Sequence, residues 1–335
     1  MEQLNQKLTP KDKSKERFVY FCEGDCVEQC CRYLADNCID LIITDPPYGI
    51  NGDQLHKHYN RDESFVIDGY VEIPQEEYEE FSFTWIKEAE RVLRPGGSIY
   101  LLSGWTNLRH VLNALDRTDL QQVNHIIWKY NFGVYTRNKY VTSHYHILYL
   151  VKPGASPTFN TYSRHSPSKK KNNRSVLYAD MEDVWVIDRE YKTGKTRHKN
   201  ELPGRLLAKM IQYSSNEGDV IADFFAGSFS TAKVAKALNR SSVSFEISRA
   251  ACEHQIPQVK RVQWGEMLDE VPRGEDDRPA KQYQPWTPDE LARLLSAYRE
   301  RRERGMNKRT AIDSLSPEFG RGYFSILNAL KKHGL

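Results

Sequence analysis

The chain reads as an α/β protein: a doubly wound, mostly parallel sheet followed by a small C-terminal helical unit. Three observations predict this. Short apolar runs of strand length alternate with stretches of helical periodicity, the pattern that places helices on both faces of a parallel sheet. Two of those runs end in acidic, turn-forming clusters: residues 39–44 lead to Asp45-Pro46-Pro47-Tyr48, and residues 218–222 lead to Asp223-Phe224-Phe225-Ala226-Gly227-Ser228. Finally, a polar stretch at 271–285, carrying Pro272, Gly274, Pro279 and Pro285, separates this pattern from a compact helical one at 286–335.

The elements follow in order. Phe18-Val19-Tyr20-Phe21 is a strand ended by Glu23-Gly24-Asp25, and a helical stretch leads on to the strand before Asp45. From Gln75 to Leu93, Tyr78, Phe81, Trp85, Ala89 and Val92 recur at helical spacing, and Arg94-Pro95-Gly96-Gly97 stops the pattern. Strands are expected at Ser98–Leu102, Ile126–Trp128 and Ile147–Val151. A helix at Pro203–Tyr213 precedes the strand ending at Asp223, and a helix at Ser230–Leu238 precedes Val243-Ser244-Phe245-Glu246. In the C-terminal unit Thr287, Pro288 and Glu290 form a helix start with N-cap, first-turn proline and capping-box glutamate. Leu291, Leu294, Leu295 and Tyr298 make its apolar stripe, and shorter helices are expected at Lys308–Leu315 and Arg321–Lys332.

The 335 residues suffice for one large domain and an appendage. We expect a polar tail at 1–17, the main domain at 18–270, a linker at 271–285 and the helical unit at 286–335. No apolar run approaches the roughly 18 residues of a membrane span, and Met1–Arg17 lacks the apolar core of a signal peptide. A cytoplasmic protein with no membrane partner is expected. The net charge of +3 is a weak argument for nucleic acid; its distribution says more. Arg164, Lys169, Lys170, Lys171 and Arg174 lie in a stretch, 152–174, without one acidic residue. Residues 286–335 hold ten Lys/Arg against six Asp/Glu. Five of six cysteines fall between Cys22 and Cys38. Cys22 and Cys26 fit the first spacing of a C-x3-C-x2-C cluster motif, but Gln29 stands at the third position, so no metal is expected and the thiols read as small buried side chains.

Several segments together resemble the permuted, beta-type branch of the S-adenosylmethionine-dependent amino-methyltransferases of DNA. They are Gly24-Asp25-Cys26, Thr44 to Ile50, Arg91 to Gly97, Trp128-Lys129, His198-Lys199-Asn200-Glu201-Leu202-Pro203, Asp223 to Ser228, and Phe245-Glu246. The resemblance covers about Phe18 to Cys252 and implies a Rossmann-like methyltransferase fold with the catalytic motif ahead of the cofactor motif. It implies S-adenosyl-L-methionine as cofactor, with Asp223, Phe225, Ala226, Gly227 and Ser228 around its methionine part. Glu246 is expected on the ribose hydroxyls, Asp25 near the adenine, and His198 and Asn200 at the amino-acid end. One position departs from the family's Gly-Ser-Gly-Thr-Thr: the chain reads Gly227-Ser228-Phe229-Ser230-Thr231. Phe229 either crowds the cofactor or turns into the core, and the sequence leaves both open.

The resemblance makes Asp45, Pro46, Pro47 and Tyr48 catalytic, and the chemistry explains why. An exocyclic amine on a base is a poor nucleophile because its lone pair is delocalised into the ring. Acceptors aimed at its N–H groups, here the Asp45 carboxylate and Pro46 carbonyl, draw the nitrogen toward tetrahedral geometry. The prolines fix φ and stiffen the turn, and Tyr48 offers an aromatic face to a flipped base. Double-stranded DNA is the implied partner, with Arg164, Lys169, Lys170, Lys171 and Arg174 of a target-recognition insert at 152–197 suited to phosphates. Phe159, Tyr162, Tyr178 and Trp185 interleave that insert, and Asn51–Gly69 is expected to close over the base. Aspartate at position 45 favours N6-adenine methylation. N4-cytosine methylation and a DNA-binding protein that keeps the fold without methylating stand as alternatives. Such enzymes can form homodimers and accompany a cognate restriction nuclease; the sequence decides neither.

Overall fold

The computed structural model describes residues 1–10, 12, 16–47, 73–131, 133, 135, 137–161, 170–171, 174–175, 181–189, 201–268, 281 and 285–335. The chain divides into two compact units, Met1–Pro272 and Arg273–Leu335.

A nine-stranded sheet organises the first unit. In chain order its strands are β1 (Glu2–Gln3), β2 (Val19–Glu23), β3 (Ile39–Thr44), β4 (Leu93–Ser103), β5 (Gln121–Lys129), β6 (His144–Val151), β9 (Val184–Val186), β10 (Val220–Asp223) and β11 (Ser241–Glu246), while β7 (Lys170–Lys171) and β8 (Arg174–Ser175) pair separately. Their spatial order is β1-β2-β11-β10-β3-β4-β6-β5-β9. Every pairing is parallel except those of β6, which runs against β4 and β5. A parallel strand covered on both faces reads as a continuous apolar run, and all of Ile39–Thr44 is buried. One face carries α1 (Cys26–Tyr33), α2 (Tyr78–Val92) and α3 (Leu108–Leu115). The other carries α4 (Gly204–Ser214) and α5 (Ser230–Ala237). A further helix, α6 (Arg249–Arg261), follows β11.

Three sequence expectations change. The segment expected as a polar tail joins the fold: Glu2–Gln3 pairs with β2, and Leu4 and Leu8 are buried. Two isolated apolar residues carry no periodic signal, so their anchoring was invisible in the sequence. The helix before Arg94-Pro95-Gly96-Gly97 does stop, at Val92, but the same four residues also open β4, which begins at Leu93 rather than Ser98. Arg94 Nε donates to Asp40 Oδ1 at 2.6 Å, and Gly96 has φ 71° where a Cβ would stand 2.5 Å from the Ser156 carbonyl. Asp40 in turn accepts from Val220 N at 2.8 Å, tying β3 to β10. Third, Trp185, one of the aromatics interleaved in the insert expected at 152–197, lies on β9 and packs against Tyr100 in the core, with Lys209 Nζ 4.5 Å from its ring centre.

Cys22, Cys26, Cys30, Cys38 and Cys252 are buried free thiols, and Cys31 is exposed. Burial pushes Cys22 up to about 12 and raises Cys26 and Cys30 as well, which keeps these thiols protonated and unreactive. Among the described residues no helix is long and apolar enough to cross a membrane.

The second unit holds α7 (Pro288–Glu303), α8 (Lys308–Phe319) and α9 (Tyr323–Lys332) around Leu294, Tyr298, Ile312, Leu315, Ile326 and Leu330. The capping box at Thr287 is formed in both directions: the Thr287 hydroxyl accepts from Glu290 N, and the Glu290 carboxylate accepts from Thr287 N. Arg321, only 2% exposed, stacks 4.1 Å from the Trp286 ring centre and pairs with Glu290 at 2.8 Å.

Candidate active site

The two acidic strand ends meet. After β3 the chain crosses one face through α2 to β4; after β10 it crosses the other through α5 to β11, on the opposite side of the β3–β10 pair. Adjacent parallel strands whose connections leave in opposite directions open a crevice at their carboxyl ends, the usual ligand position in such sheets. There Thr44 Oγ1 donates to Asp223 Oδ1 at 3.2 Å, so the residue before Asp45 is bonded to the first residue of the loop 223–228.

Asp45 and Pro47 are half-buried and Pro46 is buried. The turn is pinned from α2: the Tyr78 hydroxyl donates to the Pro47 carbonyl at 2.7 Å. Tyr78, read from the sequence as one member of an apolar stripe, is 1% exposed and adds this polar contact at its tip. Tyr48 and the loop 51–69 lie outside the described residues.

The loop after β10 is built from unusual backbone. Gly227 has φ 47° and Phe229 has φ 55°, both left-handed. At Gly227 the absence of a Cβ leaves open space, with nothing within 4 Å of where one would stand. At Phe229 the same conformation swings the ring away from that space into a pocket formed by Val19, Ala226, Ala232, Cys252 and Val259, where it is fully buried. This answers the question left open by the sequence: Phe229 does not crowd the loop. Ala226 is buried with its N–H on the Phe245 carbonyl at 2.9 Å. Phe225 is half-buried, its ring 5.4 Å from Trp85.

Glu246, at the end of β11, faces this loop. Its Oε2 accepts from Gly227 N at 2.7 Å and its Oε1 from Ser248 N at 2.8 Å. Asp25 sits at the end of neighbouring β2 and caps α1, its Oδ1 accepting from Val27 N and Glu28 N at 2.9 and 3.0 Å. That capping bond explains the residue locally, and the side chain stays exposed at the rim. Ser228 and Ser230 share a 2.7 Å hydroxyl contact, and Ser230 donates to Glu201 Oε1 at 3.0 Å. The segment around Glu201 is thereby fastened to the loop, while His198 and Asn200 lie outside the described residues.

Asp223 is 6% exposed and receives neutral donors: Thr44, Thr231 and the Phe225 N–H. Burial raises its pKa from 3.8 to about 6, and the Glu246 charge pushes the same way. An acid with a raised folded pKa contributes stability below its unfolded value, here about pH 4, and loses it as pH rises through about 6. His146, lowered to about 4 by burial and then by His125 and His144, works in the opposite sense and loses stability as pH falls toward 4. The two offset each other in the wild type. Asp223→Asn therefore gains stability over the wild type on going from pH 4 to pH 7, by on the order of 2 kcal/mol. Urea unfolding at the two pH values checks this; an unchanged difference would remove the buried charge from the account.

A cluster the sequence reading missed lies on the β5–β6 side. The rings of Trp128, Tyr130 and Tyr145 stand 5.5 to 5.7 Å apart. The Arg189 guanidinium lies over all three, at 4.4 Å from Tyr130, 5.2 Å from Tyr145 and 5.7 Å from Trp128. The Tyr145 hydroxyl is raised to about 12 by burial, against the pull of Arg189 and with the Asp45 carboxylate adding to the rise. Trp128 was legible as part of a motif; Tyr145 and Arg189 had no motif to mark them. Of the basic residues expected to meet DNA, Lys170, Lys171 and Arg174 lie on the antiparallel strands β7 and β8, and Arg164 and Lys169 lie outside the described residues. A recess of about 340 Å³ at the β1–β2 edge, lined by Leu4, Gln6, Leu8 and Phe18 among others, is remote from these strand ends and carries none of this chemistry.

A family model described as DNA methylase, of the N6/N4 type, matches residues 39–257. The type II methyltransferase M.HpaI of Haemophilus parainfluenzae is 32% identical over 66% of this chain and 68% of its own length. M.HinfI of Haemophilus influenzae is 30% identical over 67% of the chain, and M.BamHI of Bacillus amyloliquefaciens 31% over 69%; the chain spans 63% and 54% of those two proteins. Among solved structures, a Thermus thermophilus protein described as a DNA modification methylase, complexed with S-adenosyl-L-methionine, aligns at TM-score 0.53 and 19% identity over 72% of this chain and 93% of that one. The cytosine-N4-specific PvuII DNA methyltransferase aligns at TM-score 0.53 and 16% identity over 72% and 91%. These two share its fold. With the family match spanning most of the sheet and both acidic strand ends, the chain belongs to the N6/N4 DNA methylase family.

Proposed function

We propose that the chain is an S-adenosyl-L-methionine-dependent methyltransferase of double-stranded DNA, and that its target is the N6 amine of adenine. The Thr44–Asp223 hydrogen bond carries this reading, because it joins the acceptor turn to the acidic loop in one crevice. The relatives named as type II methyltransferases, and the cofactor held by the Thermus protein, support it.

The residues fit the cofactor. The loop leaves open space at Gly227. Neither Asp223 nor Glu246 is ion-paired with a described cation, so the crevice suits a ligand of net positive charge. A carboxylate offers about four lone-pair sites, so Glu246 keeps acceptor capacity for ribose hydroxyls beyond its two backbone donors. Asp223, Phe225, Ala226, Gly227 and Ser228, with His198 and Asn200, are assigned to the methionine part, and Asp25 to the rim near the adenine. When bound, the cofactor supplies an electrophilic methyl group on a sulfonium. The chain's own residues prepare the acceptor nitrogen. Asp45 and the Pro46 carbonyl accept its N–H groups, Tyr78 holds the turn still, and Tyr48 stacks on the base. Aspartate at position 45 supports adenine over cytosine. Arg164, Lys169, Lys170, Lys171 and Arg174 are assigned to phosphates.

Calorimetric titration with S-adenosyl-L-methionine tests the cofactor assignment. Wild-type protein binds, and Glu246→Ala binds at least about tenfold more weakly, the usual cost of losing hydrogen bonds to a charged group. Folded wild-type protein giving no binding would contradict the reading.

A further inference from the structure

We propose that α9 of the C-terminal unit is a duplex-reading helix: α8, the turn Gly320-Arg321-Gly322 and α9 form a helix-turn-helix whose exposed α9 face enters the major groove. This rests on the reading that the chain acts on DNA, and goes beyond it by giving sequence recognition a second site, outside the methylase fold. Helix-turn-helix motifs join two helices by a three- or four-residue turn that often contains glycine. Here three residues separate Phe319 from Tyr323, and Gly320 takes φ 60° to end α8.

The turn is held rigid. Arg321 between the two helices is buried, bonded to Glu290 at 2.8 Å and to the Pro285 carbonyl at 3.0 Å, and seated on Trp286. A buried charge satisfied on this many sides fixes the direction in which α9 leaves α8. One face of α9, with Ile326, Ala329 and Leu330, fills the core of the unit. The opposite face presents Phe324, Asn328, Lys331 and Lys332, spaced four, three and one residues apart. Phe324 is 74% exposed and lies outside the unit's buried core, with its ring edge-on to Tyr323 at 5.4 Å. No acidic residue on this helix opposes DNA: Tyr323–Lys332 contains none. Lys331 and Lys332 make no ion pair with a described residue.

The chemistry selects the partner. A protein-docking helix needs an apolar stripe, and this stripe has one apolar residue followed by an amide and two cations. An asparagine pairs bidentately with adenine N6 and N7, an aromatic meets the thymine methyl, and lysines meet phosphates; the major groove admits one helix. The unit's excess of ten Lys/Arg over six Asp/Glu in 286–335 complements the duplex.

The test uses the full chain and two labelled duplexes of equal length, one carrying the sequence that wild-type protein methylates and one unrelated. Anisotropy titrations over a range of salt are run on wild type, Asn328→Ala, Phe324→Ala and the Lys331→Ala/Lys332→Ala pair, with thermal melts to show that each is folded. Asn328→Ala and Phe324→Ala are expected to weaken binding of the methylated sequence roughly tenfold and of the unrelated duplex little. The lysine pair is expected to weaken both equally and to lower the slope of log K against log salt by about 2. Variants that are folded and match wild type in affinity, selectivity and salt slope overturn the inference while leaving the methylase reading standing. Wild-type protein that binds neither duplex overturns both.

Discussion

Asp45→Ala is expected to lower methyl-transfer turnover by at least about a thousandfold and to leave S-adenosyl-L-methionine affinity within a few-fold. Removing one preorganised group aimed at developing charge costs on the order of a hundred- to a thousandfold in other enzymes. Asp45 is asked for more than that, because the amine of a base has no free lone pair until its N–H groups are engaged. The turn around it is stiff: Thr44 is bonded to Asp223, Pro46 is buried, and Tyr78 holds the Pro47 carbonyl. The alanine variant therefore keeps its backbone and loses only the carboxylate. Single-turnover assays with labelled cofactor, beside calorimetric titration of the same variant, separate the two quantities. Retained turnover would remove Asp45 from its role; lost cofactor binding would show that the turn had collapsed.

Phe229→Ala unfolds with a stability loss of about 3 kcal/mol, at the lower end for a buried aromatic. The ring is fully buried among Val19, Ala226, Ala232, Cys252 and Val259, so truncation leaves a cavity between β2, the loop and α6. Its backbone is left-handed at φ 55°, a conformation that costs a side-chain-bearing residue about 1 kcal/mol. Phe229→Gly loses the same packing but recovers that strain, and is expected to be less damaged than a glycine substitution in ordinary backbone. Urea unfolding gives both values. At temperatures where the variants remain folded, cofactor affinity is expected to match wild type, because the ring points away from the space at Gly227. A tenfold gain in affinity on removing the ring would instead place it in that space.

Much of the sheet was legible because its signals are local. Ile39–Thr44 is buried throughout, as its mostly apolar run implied, and the Thr287 capping box forms as written. The helix expected at Gln75–Leu93 spans Tyr78–Val92, and that at Ser230–Leu238 spans Ser230–Ala237. What escaped depends on distant partners. Strands of two or three residues, β1 and β9, are too short to show a period. Arg94-Pro95-Gly96-Gly97 ends the helix as its residue types imply, but that it also opens β4 depends on Asp40, 54 positions away, which pairs with Arg94. The direction of Phe229 follows from one backbone angle that no side-chain pattern reports. Tyr78 stands at an apolar position of the helical pattern, and that its hydroxyl meets a carbonyl from another element shows only in the fold. Arg189 joins three aromatic residues that come together only in the fold. Lys152 shows the reverse: it opens a basic segment in the sequence but spends its charge on the carbonyls that end α2, reaching Glu90 and Leu93 at 2.7 and 2.8 Å.

The paired strand ends are proposed to transfer a methyl group to an amine of DNA. Incubating purified protein with unmethylated duplex DNA and isotopically labelled S-adenosyl-L-methionine, then digesting the DNA and weighing its nucleosides, tests this most directly. Labelled N6-methyladenine is the predicted product. Labelled N4-methylcytosine would keep the enzyme and correct the base. Folded, cofactor-binding protein that leaves every nucleoside unlabelled across varied duplexes would contradict the account.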